Sequence, residues 1–425
     1  MLQISEFKEN KEALIAGLKV KNFRNPEEAV EKVLALDEER RHTQQASDDK
    51  SAESNQLSKQ IGLLMREGKK EEANEVKSKT AALKEESKKL QEKLSKIEGD
   101  LEQLLFTIPN IPHESVPTGK SDEDNEELRQ FGEIPTLAEN KKPHWELIKD
   151  YDIIDFELGN KLTGAGFPVY KGKGARLQRA LINFFLDEAE AAGFSEVLPP
   201  IVVNEASGIA TGQLPDKEGQ MYQLVGHDYY LIPTAEVPIT NMYRDVILSE
   251  KDLPIKNAGF TPCFRREAGS WGAHVRGLNR LHQFDKVEIV QITKPEDSMN
   301  ALDEMVAHVE GLLKKLGLPT RVLRLCGGDL SFTSHITFDM EVYSAGQDQW
   351  LEVSSISNFL TYQANRLKLR YRPEGEKKTQ LLHTLNGSAL ALPRIVATIL
   401  ENNQTPEGIK IPEVLVPYCG FDMIK

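Results

Sequence analysis

Between about residue 27 and residue 105 the chain carries almost no proline or aromatic side chain, and its apolar positions recur three and four apart. In the second half of this stretch Ala73, Val76, Thr80, Leu83, Ser87, Leu90, Leu94, Ile97, Leu101 and Leu104 follow one another without a break, the seam of a coiled coil. The first half keeps the spacing through Val33, Leu36, Arg40, Thr43, Ser47, Lys50, Ser54, Leu57, Ile61 and Leu64, with a polar and therefore weaker middle. Between the runs, MREGKKEEA places Gly68 among charges, where the chain is expected to reverse. Two helices of about 40 residues, each rising about 1.5 Å per residue, predict an antiparallel arm about 60 Å long.

The helical pattern then stops. TIPNIPHESVPTGKSDEDNEEL (107–128) is punctuated by Pro109, Pro112 and Pro117 and reads as a linker. Beyond it, runs such as LINFFLDEAEAAGFSEVLPPIVV and LHQFDKVEIVQI mix helical and alternating patterns, which predicts an α+β domain on an antiparallel sheet. KGKGARL (171–177) reads as a turn ahead of a helix over 176–190. The division is a helical arm over 1–106, a linker over 107–150 and the α+β domain over 151–425.

Composition changes this picture in one place. The 425 residues are 39% hydrophobic and 28% charged, as in ordinary soluble proteins. No apolar run approaches the length of a membrane span, and the first twenty residues lack a signal-peptide core. Cys263, Cys326 and Cys419 lie far apart, which fits a reducing cytosol better than a disulfide framework. The net charge of −13 speaks against a polyanionic partner. Residues 59–96, however, hold eleven Lys or Arg against seven Asp or Glu, a local net of +4. Such a stretch is either a solvated helix face or the place where a polyanion is received.

No GxxxxGK[ST] and no strand-linked GxGxxG occurs, so a nucleotide would not be held by a P-loop. Three other segments carry chemistry. GFSEVLPPIVV (193–203) joins a helix end, a strand and a double proline; TPCFRREAGS (261–270) and RGLNRLHQFDKVEIV (276–290) read as strand, polar loop, strand; LNGSALALPRIVATILEN (385–402) runs into a helix. The fork of Arg265 suits a carboxylate or a phosphate, though an arginine in FRRE alone is as readily a surface residue. Arg394 follows Pro393 at a helix start, where exposed N–H groups and the helix dipole favour an anion. Glu352 and Ser355 in LEVSS are hard oxygen ligands of the kind Mg²⁺ takes. Strict alternation puts Ser355 on the face opposite Glu352 and Ser354 unless a bulge intervenes.

Taken in order, the three segments resemble motifs 1, 2 and 3 of the class II aminoacyl-tRNA synthetases. PTAEVPITNMYRD (233–245), SSISNFLTYQANR (354–366) and HTLNGS (383–388) narrow the resemblance to the seryl-tRNA synthetase family, over essentially the whole chain. The resemblance implies a class II antiparallel sheet flanked by helices, preceded by an antiparallel coiled-coil arm that binds tRNA, with 151–425 as the catalytic domain. It implies ATP-dependent activation of L-serine to seryl-adenylate and transfer to tRNA(Ser), with tRNA(Sec) as a further acceptor, in a cytoplasmic homodimer joined through motif 1 and Pro200.

Site residues follow from the same likeness. Arg265, Arg394 and Glu352 are the expected catalytic set. Thr234, Ala235, Glu236, Arg265, Glu288, Asn386 and Ser388 are expected to bind serine, Glu236 through its ammonium and Glu288 through its hydroxyl. ATP is expected at Arg265, Arg266, Glu267, Leu281, Phe284, Glu352, Val353, Ser354, Ser355 and Arg394, and Mg²⁺ at Glu352 and Ser355. The family has glycine where this chain has Ala389 and Pro393, and the loop SWGAHVRGLNR (270–280) departs from SAGRDTRGL at Trp271 and His274. An amino acid:carrier-protein ligase would lack the arm, and a coiled-coil scaffold would have no use for Arg265, Glu267, Glu352 and Arg394.

Overall fold

A computed structural model describes residues 1–216, 219–267 and 276–425, so Trp271 and His274 lie outside the described residues. The chain forms two compact bodies, Met1–Lys19 with Phe23–Pro109, and Val20–Asn22 with Asn110–Lys425.

The first body holds α1 (Ile4–Glu9), α2 (Lys11–Val20, whose last residue belongs to the second body) and two long helices, α3 (Pro26–Arg66) and α4 (Lys70–Phe106). Every seam position named above is buried or half-buried. The reversal is short because Gly68 takes φ +78°, and Lys69 N–H closes on the Leu64 carbonyl at 3.0 Å. The polar middle pairs across the seam, Ser51 with Ser87 at 3.0 Å, and Lys50–Glu86 and Lys93–Glu39 bridge the two helices at 2.9 and 2.8 Å. Asp37, an acid at a fully buried position, is held by Lys8 at 2.5 Å, Arg40 at 2.9 Å and Arg41 at 3.2 Å. Against the opposing effect of burial, Lys8 and Arg40 keep its carboxyl below the usual range.

The second body is built on a sheet that has eight strands among the described residues: β1 (Glu126–Phe131), β2 (Ser195–Glu196), β3 (Ile255–Phe264), β4 (Gln283–Thr293), β5 (Thr320–Arg324), β6 (Ile336–Ser344), β7 (Gln349–Asn358) and β8 (His383–Ala391). Their order is β1-β5-β6-β7-β8-β4-β3-β2, antiparallel throughout except for the edge strand β2, which runs parallel to β3. Its helices include α5 (His144–Asp150), α6 (Gly172–Ala191), α7 (Glu236–Asn241), α8 (Ser298–Leu316) and α9 (Leu392–Asn402). Val287 and Ile289 of β4, Ile356 of β7 and Leu385 of β8 join Leu177, Leu181, Met305 and Val309 of α6 and α8 in one core. Alternation leaves the even-numbered residues of β4 for the other face, which carries the chemistry.

One local expectation is corrected. KGKGARL is not a turn: α6 starts at Gly172, four residues earlier than the expected 176. Gly174 is there because a Cβ would sit 2.3 Å from the Ile153 carbonyl oxygen, so the helix packs closely from its first turn. Among the described residues, no helix is long and apolar enough to cross a membrane.

Candidate active site

Phe284, Lys286 and Glu288 occupy alternate positions of β4 and so share one face. Antiparallel pairing sets Glu288 opposite Gly259 on β3 and opposite Ser388 on β8, with Asn386 two residues further on the same side. The glycine at 259 permits a close approach of the chain, since a Cβ there would lie 2.8 Å from the Val197 carbonyl oxygen. Arg265 follows the end of β3. Its Nε donates to the Pro233 carbonyl at 3.3 Å, and its guanidinium carbon lies 5.4 Å from the Phe284 ring centroid. Gln220 holds the segment after Arg265: its carbonyl accepts from Arg266 N–H at 2.9 Å, and its side chain from Glu267 N–H at 3.1 Å. The Glu267 side chain is in an ion pair with Arg280, and Arg266 is exposed.

Thr234, Ala235 and Glu236 lie at the start of α7, all buried. Glu236 Oε1 accepts from Gln363 at 2.6 Å, and the Gln363 carbonyl accepts from Thr384 at 2.7 Å, which fixes the amide's orientation. Burial and the nearby Glu288 carboxylate push the Glu236 carboxyl up to about 7, against the opposing pull of Lys286 and Arg265. Lys286 Nζ lies 2.5 Å from Glu288 and donates to the Thr234 hydroxyl at 2.9 Å. This half of the site thus gathers two carboxylates, one lysine, one arginine and two hydroxyls.

A second group sits on the same face of β6 and β7. The register of these strands slips at Val353, so Glu352 pairs with Glu341, and Ser354 and Ser355 pair with Met340 and Asp339. Because Glu341 and Asp339 are two apart on one strand, Glu352 and Ser355 face the same way. The bulge is present, and Ser354 is the residue that points elsewhere: it donates to the Ser388 carbonyl at 2.5 Å. Val353 and Leu281 are buried in the core, so any contact from Val353 or Ser354 to a ligand on this face is made by main chain. Asp339 is buried and hydrogen-bonded to Ser355, and its other oxygen, Oδ1, has no hydrogen-bond partner among the described residues. Burial and the neighbouring Glu352 raise its carboxyl well above the usual carboxylate range. Arg394, in the first turn of α9, donates to the Glu352 carbonyl at 2.7 Å and to the Asn279 carbonyl at 3.0 Å.

β7 and β4 flank β8, so the two groups are two strand spacings, about 10 Å, apart. That is the reach of an extended triphosphate. The chain is similar to known proteins over its whole length. Residues 1–112 match the seryl-tRNA synthetase N-terminal domain, and 221–403 match the tRNA synthetase class II core domain (G, H, P, S and T). A serine–tRNA ligase from Salinibacter ruber is 49% identical over 425 residues, covering 100% of this chain and 99% of the relative. The chain belongs to the seryl-tRNA synthetase family. Solved structures agree: seryl-tRNA synthetase from Pyrococcus horikoshii complexed with ATP superposes with a TM-score of 0.93 at 32% identity, over 100% of this chain and 99% of that one. The cytoplasmic enzyme from Naegleria fowleri in complex with AMP gives 0.88 at 28% identity, with the same coverage. The expected class II sheet with a preceding helical pair is therefore the fold observed.

Within this synthetase site, Lys286, Gln363, Gln220 and Asp339 had no role assigned from sequence. Lys286 was detectable: a lysine alternating with Phe284 and Glu288 inside a strand otherwise as apolar as VEIVQI is placed on a buried face. Lys286→Met leaves Glu288 buried beside no cation, and breaking a buried pair costs about 3 kcal/mol or more. The expected result is a lower melting temperature together with a serine KM raised about 10-fold, while the ATP KM changes little. Thermal melting and pyrophosphate exchange measure both, and equal effects on the two substrates would show that Lys286 only holds the sheet.

Proposed function

We propose that this face performs the two steps of a serine–tRNA ligase. A carboxylate oxygen of serine attacks the α-phosphorus of ATP, the bond to the β-phosphate breaks, and seryl-adenylate forms as pyrophosphate leaves. A hydroxyl at the 3′ end of tRNA(Ser) then attacks the seryl carbonyl carbon, the bond to the phosphate breaks, and AMP leaves with the seryl ester formed. The supporting observation is one guanidinium, Arg265, near the buried carboxylates Glu236 and Glu288, with Ser388 and Asn386 on the strand that pairs with that of Glu288.

Arg265 bridges the serine carboxylate and the α-phosphate, stabilising charge that grows during attack. No side-chain nucleophile is required, since positioning and electrostatics carry the step. Glu236 faces the ammonium. Glu288, held by Lys286, accepts from the substrate hydroxyl, with Thr234, Ala235, Asn386 and Ser388 closing the pocket. A pocket that leaves Glu288 unpaired without that hydroxyl rejects alanine and glycine strongly. Phe284 stacks on adenine, Glu267 takes its amino group, Arg266 flanks it, and Leu281 contributes only main chain. Arg394 takes the γ-phosphate at the start of α9.

The donor set also fits Mg²⁺: a carboxylate and a hydroxyl turned to one face, the hard oxygen ligands this ion takes alongside water and phosphate oxygens. Among the described residues no cluster of three or more His, Cys, Asp or Glu side chains converges, and a cation shared with phosphates needs no such cage. Glu352 and Ser355 would hold the ion, which neutralises phosphate charge when bound; Val353 and Ser354 contribute main chain beside them.

We read residues 1–106 as the tRNA-binding arm, 107–150 as its linker and 151–425 as the catalytic domain. The enzyme acts as a cytoplasmic homodimer through motif 1, and tRNA(Sec) is a second acceptor. Pyrophosphate exchange tests the core reading: serine alone among the amino acids should drive it, with no tRNA present. Exchange with another amino acid and none with serine would refute it.

A further inference from the structure

Behind Arg394 lies a buried polar network that the reaction described above does not use. His144 and Glu401 have fully buried side chains, and His144 Nδ1 is 2.6 Å from Glu401 Oε1. The His144 backbone N–H also donates to that carboxylate oxygen at 2.7 Å, Gln347 adds its amide at 2.9 Å, and Ser344 donates to the other oxygen. On its far side the imidazole accepts, through Nε2, the Leu278 N–H at 2.8 Å. A nitrogen that accepts carries no proton, so the proton is on Nδ1 and is donated to Glu401. Four donors on one buried carboxylate make a rigid anchor.

The anchor fixes the short turn Gly277–Asn279. Its fit to the ring is close: Gly277 has φ +66°, and a Cβ there would be 2.2 Å from His144 Nε2. Trp145, next to His144, carries the Arg276 guanidinium 4.8 Å from its ring centroid. Gln347, bonded to Glu401, accepts from the Asn279 amide at 2.8 Å. The output of the network is the Asn279 carbonyl, which accepts from Arg394 Nε at 3.0 Å and sets the plane of that guanidinium. Glu401 and Arg394 are seven residues apart on α9, hence on one face and about 10 Å apart along it. The anchor and the arginine are thus joined twice, through the helix and through the turn.

We propose that His144 and Glu401 are positioning residues for ATP, acting through Asn279 on Arg394. The proposal rests on the reading of Arg394 as a phosphate ligand. A guanidinium free to rotate keeps its charge and loses its aim, and misplacement of this kind costs one to two powers of ten. Serine, held about two strands away by Glu236 and Glu288, should not sense the change.

The test is calorimetric binding of a non-hydrolysable ATP analogue, and separately of serine, to the full chain carrying His144→Leu, Glu401→Gln, Asn279→Ala or Arg394→Ala. The expected result is analogue binding weakened about 10-fold in the first three, with serine binding within about twofold of the parent and partial recovery in His144→Gln. Asn279→Ala cuts only the Gln347 link, so it carries the test if the core variants do not fold. Equal loss of analogue and serine binding would make the network merely structural and overturn the proposal, as would unchanged analogue binding in the three variants when Arg394→Ala is impaired. Normal analogue binding by Arg394→Ala itself would remove the phosphate reading and the proposal with it.

Discussion

Alanine at Arg265 lowers serine-dependent pyrophosphate exchange by about 10²-fold or more, and alanine at Arg394 does the same through the other end of the triphosphate. The size follows from where each charge sits. Arg265 is over the Phe284 ring and tethered by one bond to the Pro233 carbonyl, leaving most of its donors for ligand. Removing one preorganised donor from a water-poor site costs about 3 kcal/mol in the transition state, because solvent does not replace it in the right geometry. The two variants should differ in kind: Arg265→Ala affects kcat with either substrate saturating, whereas Arg394→Ala appears largely in the KM for ATP. Steady-state exchange kinetics separate the two, and near-normal exchange by Arg265→Ala would remove the mechanism.

The second large effect is on the other body. Replacing residues 41–90 with a short Gly/Ser linker leaves pyrophosphate exchange nearly intact and abolishes most tRNA serylation. The cut is made above the root, so that Asp37 keeps Lys8 and Arg40 and the seam keeps the buried Ile97 and Leu101. The Lys93–Glu39 pair shows that the two cut ends are close enough to be joined. Of the eleven basic residues in 59–96, only Lys69, Lys89 and Lys93 are in ion pairs among the described residues. Lys59, Arg66, Lys70, Lys77, Lys79, Lys84, Lys88 and Lys96 are exposed and outside those pairs. Three or four phosphate contacts give tRNA binding a slope of about −3 in log K against log salt. Filter binding at several salt concentrations checks this, and a truncated protein that still charges tRNA would make the arm's charge a solvated face.

Periodicity made the helical pair legible to within a few residues, because a seam repeats its instruction over ten positions and no single exception matters. Asp37 escaped that reading: its burial depends on Lys8, from a helix nearly thirty residues away in sequence. The sheet was legible in class and in the paired strands around FRRE and DKVE, but its order was not, since β8 is inserted between β7 and β4 by contacts of long range. The proposed site was legible only where a motif marked a residue. Gln220 and Asp339 carry no local pattern, and only the fold puts them beside Glu267 and Ser355. The start of α6 was misjudged because glycines usually break helices, whereas Gly174 answers to a close approach by Ile153 and Gly172 takes φ +48° at the helix start.

A strand bearing ligands is ordinarily the last place where a protein could change its length, and such changes collect in loops. β7 is an exception. The extra residue at Val353 is already absorbed between the Glu341–Glu352 and Met340–Ser354 pairs. A chain lacking it would run those same pairs in plain succession, with Glu352 and Ser355 still on one side, now two positions apart instead of three. What would be lost is the local bend and one buried valine. The spacing of these two side chains is therefore free to differ by one among proteins that hold them in the same place.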